Sequence, residues 1–120
     1  MQVRLVRTYN FEAAHQLPNV PPGHKCARVH GHSFGVEIIV YGPVDPDRGW
    51  CIDYGEIDTL WQPLQDAFDH HLLNEIRGLE NPTSENLARY IWDYFKERLP
   101  YLERVAVMET RDSRCEYEGK

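Results

Sequence analysis

Residues 30 to 41 read HGHSFGVEIIVY, and the fold turns on how they are read. Phe34, Val36, Ile38 and Val40 fall on alternate positions, which is the period of a half-buried strand, assigned here to residues 32 to 41. His30 and His32 share that parity. Extended backbone therefore stands both imidazoles on the face that becomes the core, at its rim.

Upstream, residues 15 to 32 read HQLPNVPPGHKCARVHGH, holding four of the six histidines and one of the three cysteines. Pro18, Pro21, Pro22 and Gly23 keep residues 16 to 29 in a loop. His15 can close a three-histidine set, and Cys26 lies close by. Two arrangements follow: a catalytic zinc on three histidines with an open position, or a closed structural site with Cys26 as fourth ligand. Ordinary surface histidines are the bland alternative.

Val3 and Leu5 alternate with Gln2 and Arg4, and Tyr9 and Phe11 continue the face, so residues 2 to 12 form a first strand. The turn-rich GPVDPDRG follows the second strand. Asp53 and Glu56 give a D-x-x-E helix start. Ile57, Leu60, Trp61, Leu64, Ala67 and Phe68 recur at helical spacing, with a kink expected at Pro63. Residues 69 to 82 are connection. Thr83 N-caps a second helix whose stripe is Leu87, Ala88, Ile91, Trp92, Phe95 and Leu99, ended by Pro100. Residues 103 to 110 and 114 to 118 are strands, with a turn near Asp112 and Ser113. The order β-β-α-α-β-β indicates an α+β fold, a four-stranded antiparallel sheet with two helices on one side. Residues 1 to 120 read as one domain. Its exposed sheet edges point to a symmetric homo-oligomer.

Composition narrows the class. The net charge of −6 disfavours a nucleic-acid or polybasic membrane role. It leaves room for an anionic substrate at a local cluster such as Lys25 and Arg28. No apolar run reaches membrane-span length, and the N-terminus lacks an export signal. Three cysteines, an odd number, do not suggest a disulfide framework, so a reducing cytoplasm is expected.

Zinc suits His15, His30 and His32, leaving a place for water or substrate. Cys26 is the natural base or nucleophile once thiolate, which needs positive surroundings such as His24, Lys25, Arg28 or the metal. Its alternative is a buried small hydrophobe. Cys51 and Cys115 are better explained by packing. Asp69 beside His70 and His71 can form a proton relay, or simply end a helix with dipole-favoured histidines. Glu109, in phase with Val105 and Val107, suggests a ligand with N–H donors, or a strand leaving the core.

FEAAHQLP, GHKCARVHGHSF, DHHLLNEIRGLENPTSEN and VMET together resemble the 6-pyruvoyl-tetrahydropterin synthase superfamily. The likeness is strongest to its 6-carboxy-5,6,7,8-tetrahydropterin synthase branch of queuosine biosynthesis and spans nearly the whole chain. The resemblance implies the tunnelling fold, or T-fold, with subunits joined in a trimer-based or hexameric barrel. It implies His15, His30 and His32 as zinc ligands and Cys26, Asp69, His70 and Glu109 as catalytic residues, selecting His70 over His71. Glu109 would anchor a pterin, with Thr83 and Ser84 as further contacts, although N-cap duty also explains those two. The substrate implied is 7,8-dihydroneopterin triphosphate. Sister activities are 6-pyruvoyl-tetrahydropterin formation and dihydroneopterin side-chain cleavage for folate; another alternative is a catalytically silent zinc- or pterin-binding module.

Overall fold

Two fourteen-residue strands, β1 (Gln2–His15) and β2 (His30–Pro43), form the long ribbon of the sheet in the computed structural model, which describes all 120 residues. Two helices follow, α1 (Tyr54–Phe68) and α2 (Ser84–Phe95), then β3 (Leu102–Met108) and β4 (Cys115–Tyr117). Neighbouring strands are antiparallel in the order β1-β2-β3-β4. The expected β-β-α-α-β-β order is what forms. No helix is long and apolar enough to cross a membrane.

Alternation extends further than the sequence shows. In β1 the odd positions face the helices, so Phe11, Ala13 and His15 are all buried. The small Ala13 and Ala14 hide this period, and the expected strand end at residue 12 falls three residues short. The loop of residues 16 to 29 contains a single 3-10 turn at Lys25–Ala27. The connection of residues 69 to 82 contains another at Leu73–Glu75, where Leu73 is fully buried.

The inner face of the sheet supplies Phe11, Phe34, Val36, Ile38, Val105 and Val107 to the core. The helices answer with Ile57, Trp61, Leu64 and Phe68, and with Leu87, Ile91 and Phe95. Aromatic contacts bridge the layers: Phe11 lies 5.1 Å from both Phe34 and Phe68, and Tyr9 stacks on Trp61 at 4.7 Å. The Trp61 indole N–H donates to Gln65 Oε1 at 2.8 Å, so its burial strands no donor.

Helix ends follow their caps. Asp53 Oδ1 accepts from the Gly55 N–H at 2.9 Å and Thr83 Oγ1 from the Asn86 N–H at 3.1 Å. The Asp53 bond is a simple N-cap and not the expected capping box, since the Glu56 N–H donates to the Asp53 carbonyl; α1 then runs continuously through Pro63. Helix α2 stops at Phe95 instead of continuing to Leu99; Leu99 is nevertheless buried, in the turn before Pro100.

Asp58 ties α1 to β1. It accepts from Arg7 Nε at 2.8 Å, Arg7 Nη2 at 3.0 Å and the Tyr9 hydroxyl at 2.6 Å. Arg7, and then Tyr9, hold the Asp58 carboxyl below the usual carboxylate range. The stabilisation is therefore present above the unfolded carboxyl pKa of about 3.9 and fades as pH falls through the lower folded value. Asp58→Asn is expected to lower the urea midpoint at pH 7 and to flatten its decline below about pH 4; parallel wild-type and variant profiles would remove Asp58 from the acid response. Thr83→Ala should cost about 1 kcal/mol in the same assay, with Thr83→Ser close to wild type.

Candidate metal and substrate site

Strand register builds the site. His15 lies directly opposite His30 in the β1–β2 ladder, and Ala13 opposite His32. The three imidazoles therefore share one face at the end of the ribbon. Their ring centroids are 4.6 Å apart for His15–His30, 5.1 Å for His15–His32 and 5.0 Å for His30–His32. Phe34 forms the apolar floor, edge-on to His15 and His32.

Backbone carbonyls fix two of the rings. His15 Nδ1 is 2.8 Å from the Pro82 carbonyl and His30 Nδ1 is 2.8 Å from the Arg28 carbonyl. A carbonyl can only accept, so each Nδ1 carries the proton and each Nε2 presents a lone pair. This outer bond is the usual orienting partner of a metal-ligating histidine. His15 Nε2 and His32 Nε2 are buried without a hydrogen-bond partner. Burial is the largest influence on His32 and lowers its pKa, favouring the neutral, ligating form. One donor nitrogen from each histidine lies within 4.8 Å of the other two. Converging lone pairs on a dry floor suit a cation, and three neutral imidazoles suit a borderline metal such as zinc.

Glu109 lies one residue beyond β3. Its Oε1 is 3.5 Å from His15 Nε2 and 4.0 Å from His32 Nε2. Core phase and departure from the strand thus meet in one residue: the backbone leaves the sheet while the carboxylate leans toward the imidazoles. Cys26 sits in the 3-10 turn, half-buried, its N–H donating to His24 Nδ1 at 3.0 Å and its carbonyl accepting from the Leu17 N–H at 2.8 Å. Lys25, Cys26, His30, His32 and Glu109 line one hollow.

The chain belongs to the 6-pyruvoyl tetrahydropterin synthase family. The family model matches residues 4–120. The 6-carboxy-5,6,7,8-tetrahydropterin synthase of Synechocystis is 36% identical, over 94% of this chain and 91% of its own length. The dihydroneopterin monophosphate aldolase of Pyrococcus furiosus is 28% identical, over 98% of this chain and 99% of its own. The 6-pyruvoyl tetrahydropterin synthase of Caenorhabditis elegans superposes with a TM-score of 0.91 at 26% identity, covering 100% of this chain and 97% of the other. The family's four-stranded sheet with two helices is the architecture seen here.

Within this family fold, Asp69 and His70 occupy a different place. His70 lines a second hollow with Glu12, Ser33, His71 and Leu72, and only Gly31 and His32 border both. Asp69 Oδ1 accepts from the Glu12 N–H at 2.9 Å, and that bond, followed by His70, holds its carboxyl below the usual range. Asp69 Oδ2 lies 3.0 Å from His70 Nδ1. Neighbouring residues rarely meet so well; here the backbone of His70 takes a left-handed φ of 59°, tied down by its N–H donating to the Glu12 carbonyl. Thr83 spends its hydroxyl on the α2 cap, and the Ser84 hydroxyl donates to Glu85.

Sequence reading missed the Pro82 and Arg28 carbonyls, for which no side-chain signal exists. It also missed Glu12, inside FEAAH, whose backbone holds Asp69 and His70. His15→Ala should weaken cobalt(II) binding by more than the roughly 10–100-fold expected for losing an orienting partner, read from visible absorption. Cys26→Ala should retain the wild-type spectrum; its loss would make Cys26 a ligand and the metal site closed.

Proposed function

We propose that the chain is a zinc-dependent carbon–carbon lyase acting on 7,8-dihydroneopterin triphosphate, in the queuosine (7-deazaguanine) route. With one water consumed, the products are 6-carboxy-5,6,7,8-tetrahydropterin, acetaldehyde and triphosphate. The observation that carries the reading is the His15–His30–His32 cluster, with its two orphaned buried nitrogens, opening on a hollow shared with Cys26 and Glu109. The Synechocystis relative's name and the four-residue spacing from Cys26 to His30 support the carboxy branch.

Zinc, when bound by the three histidines, polarises the side-chain oxygens of the substrate and acidifies the adjacent C–H. Cys26, as thiolate, removes a proton from the side chain. His70 moves protons, with Asp69 orienting its ring through Nδ1. Glu109 accepts from the N–H edge of the pterin and fixes the ring against the reacting groups. Thr83 and Ser84 contribute secondary contacts to the bound pterin.

Cys26 and His70 line different hollows of one chain. The reading therefore requires a second copy to bring a relay pair to each Cys26, within a trimer-based homo-oligomer of up to six subunits. Most of the β1 edge and all of the short β4 edge lie open for such pairing, and backbone bonds to residues 70 and 71 cover β1 only near its end. Three free cysteines suit a reducing cytoplasm.

The zinc-loaded protein, incubated with 7,8-dihydroneopterin triphosphate, is expected to yield acetaldehyde and the mass of carboxytetrahydropterin. Accumulation of 6-pyruvoyl-tetrahydropterin would assign the sister synthase activity, and glycolaldehyde-type side-chain release would assign the aldolase. Cys26→Ala is expected to keep metal and lose turnover by at least about 100-fold, the lower range for removing an acid–base group.

A further inference from the structure

The lining of the site changes sign along its length. The hollow that holds Cys26, His32 and Glu109 is bordered by Lys25 and His30. Those same two residues border a neighbouring hollow of about 710 Å³, lined also by His24 and Arg28. No carboxylate lines this outer hollow. Glu109, the acidic group of the inner one, lies beyond the histidine cluster.

The cations of the outer hollow are uncommitted. Neither Lys25 nor Arg28 forms a salt bridge, and neither side chain donates a hydrogen bond within the chain. By contrast, Arg4, Arg7, Lys96, Arg104 and Arg114 are all paired with carboxylates. His24 accepts the Cys26 N–H on Nδ1, so its neutral ring carries the proton on Nε2, where no acceptor is present. Three donors thus face solvent around one hollow in a protein of net charge −6. The segment is short and held in place: the His24 N–H donates to the Pro21 carbonyl at 3.1 Å, and the Lys25–Ala27 turn follows at once.

Resting on the pterin-triphosphate reading above, we infer that Lys25, Arg28 and the Nε2–H of His24 form the polyphosphate subsite of the substrate. A ligand with a donor-rich heterocycle at one end and a polyanion at the other matches the order of groups along the two hollows. The heterocycle meets Glu109, the central carbons meet the histidine cluster and Cys26, and the phosphates reach the cations. Arg28 and Lys25 then act in two ways. Their side chains bind the anion by charge-assisted hydrogen bonds. Their backbones belong to the segment that carries Cys26 and supplies the carbonyl orienting His30, so the anion subsite sits on the same held segment as both.

The test uses the zinc-loaded full chain and its Lys25→Gln, Arg28→Gln and double variants. Calorimetry measures inorganic triphosphate and, separately, unphosphorylated 7,8-dihydroneopterin, with bound zinc assayed after each titration so that chelation is not scored as binding. Each single variant is expected to weaken triphosphate binding about tenfold, and the KM for the triphosphate substrate likewise. Dihydroneopterin affinity should stay at the wild-type value in all three. Raised salt should erase most of the difference between wild type and variants. Unchanged triphosphate affinity in the double variant would overturn the subsite, as would an equal loss of dihydroneopterin and triphosphate binding. If wild type binds triphosphate through Lys25 and Arg28 but does not bind dihydroneopterin, the anion subsite stands and the pterin reading fails.

Discussion

The site depends on two imidazole nitrogens buried without a hydrogen-bond partner. A buried polar nitrogen with no hydrogen bond costs on the order of 1–3 kcal/mol, so His15 Nε2 and His32 Nε2 are a standing penalty in the metal-free chain. The penalty is built in. Pro82 holds the His15 ring and Arg28 holds the His30 ring, each through Nδ1, so neither can turn its lone pair toward water without breaking that bond. Phe34 closes the floor. A cation in the centre would satisfy the two orphans and would also offset the proximity of the Glu109 carboxylate.

That arrangement rests on strand register. A slip of one residue between β1 and β2 would send His15 or the His30–His32 pair to the opposite face of the sheet. Register is fixed by what lies further along the same ribbon: Phe11 opposite Phe34, Tyr9 opposite Val36, Leu5 opposite Val40. The apolar pairs that form the core therefore also set how the three histidines converge. The Asp58 bonds to Arg7 and Tyr9 hold α1 against that ribbon, and Trp61 stacks on Tyr9 one turn later.

How legible each part was follows from where its information resides. Alternation in Phe34 to Val40 and the stripes of the two helices are side-chain patterns, so strand and helix order could be read directly. The parity of His30 and His32 with Phe34 could be read in the same way. The end of β1 could not, because Ala13 and Ala14 are equally acceptable on either face. Leu99 extended the helical stripe on paper but packs from a turn instead, since a buried leucine says nothing about the backbone beneath it. The carbonyls of Pro82 and Arg28 left no trace, because every residue has one. The left-handed backbone of His70 was likewise invisible: histidine visits positive φ more readily than most residues but only in a few per cent of cases, yet that φ is what lets adjacent Asp69 and His70 meet.

Gly31 and His32 form the wall between the two hollows, which constrains how chemistry can be divided. His32 offers a ligand to the cluster on one face of β2, while the intervening Gly31 lies on the other, where the His70 hollow opens. A side chain at Gly31 would stand 3.4 Å from the Ala13 carbonyl, in ordinary contact, so the ladder itself could accept one. Beyond its chain neighbours no other atom lies within 4 Å of it, and it would point into the hollow that His70 also lines. Neither space nor backbone strain therefore demands glycine at this position. The histidine cluster is complete within a single chain, whereas the Asp69–His70 pair lies on the far side of a thin wall, in the other hollow. On the function proposed above, a site divided in this way would hold its metal before it is competent to turn over, because the three histidines come from one ribbon and the Asp69–His70 pair would act only on a copy docked against it.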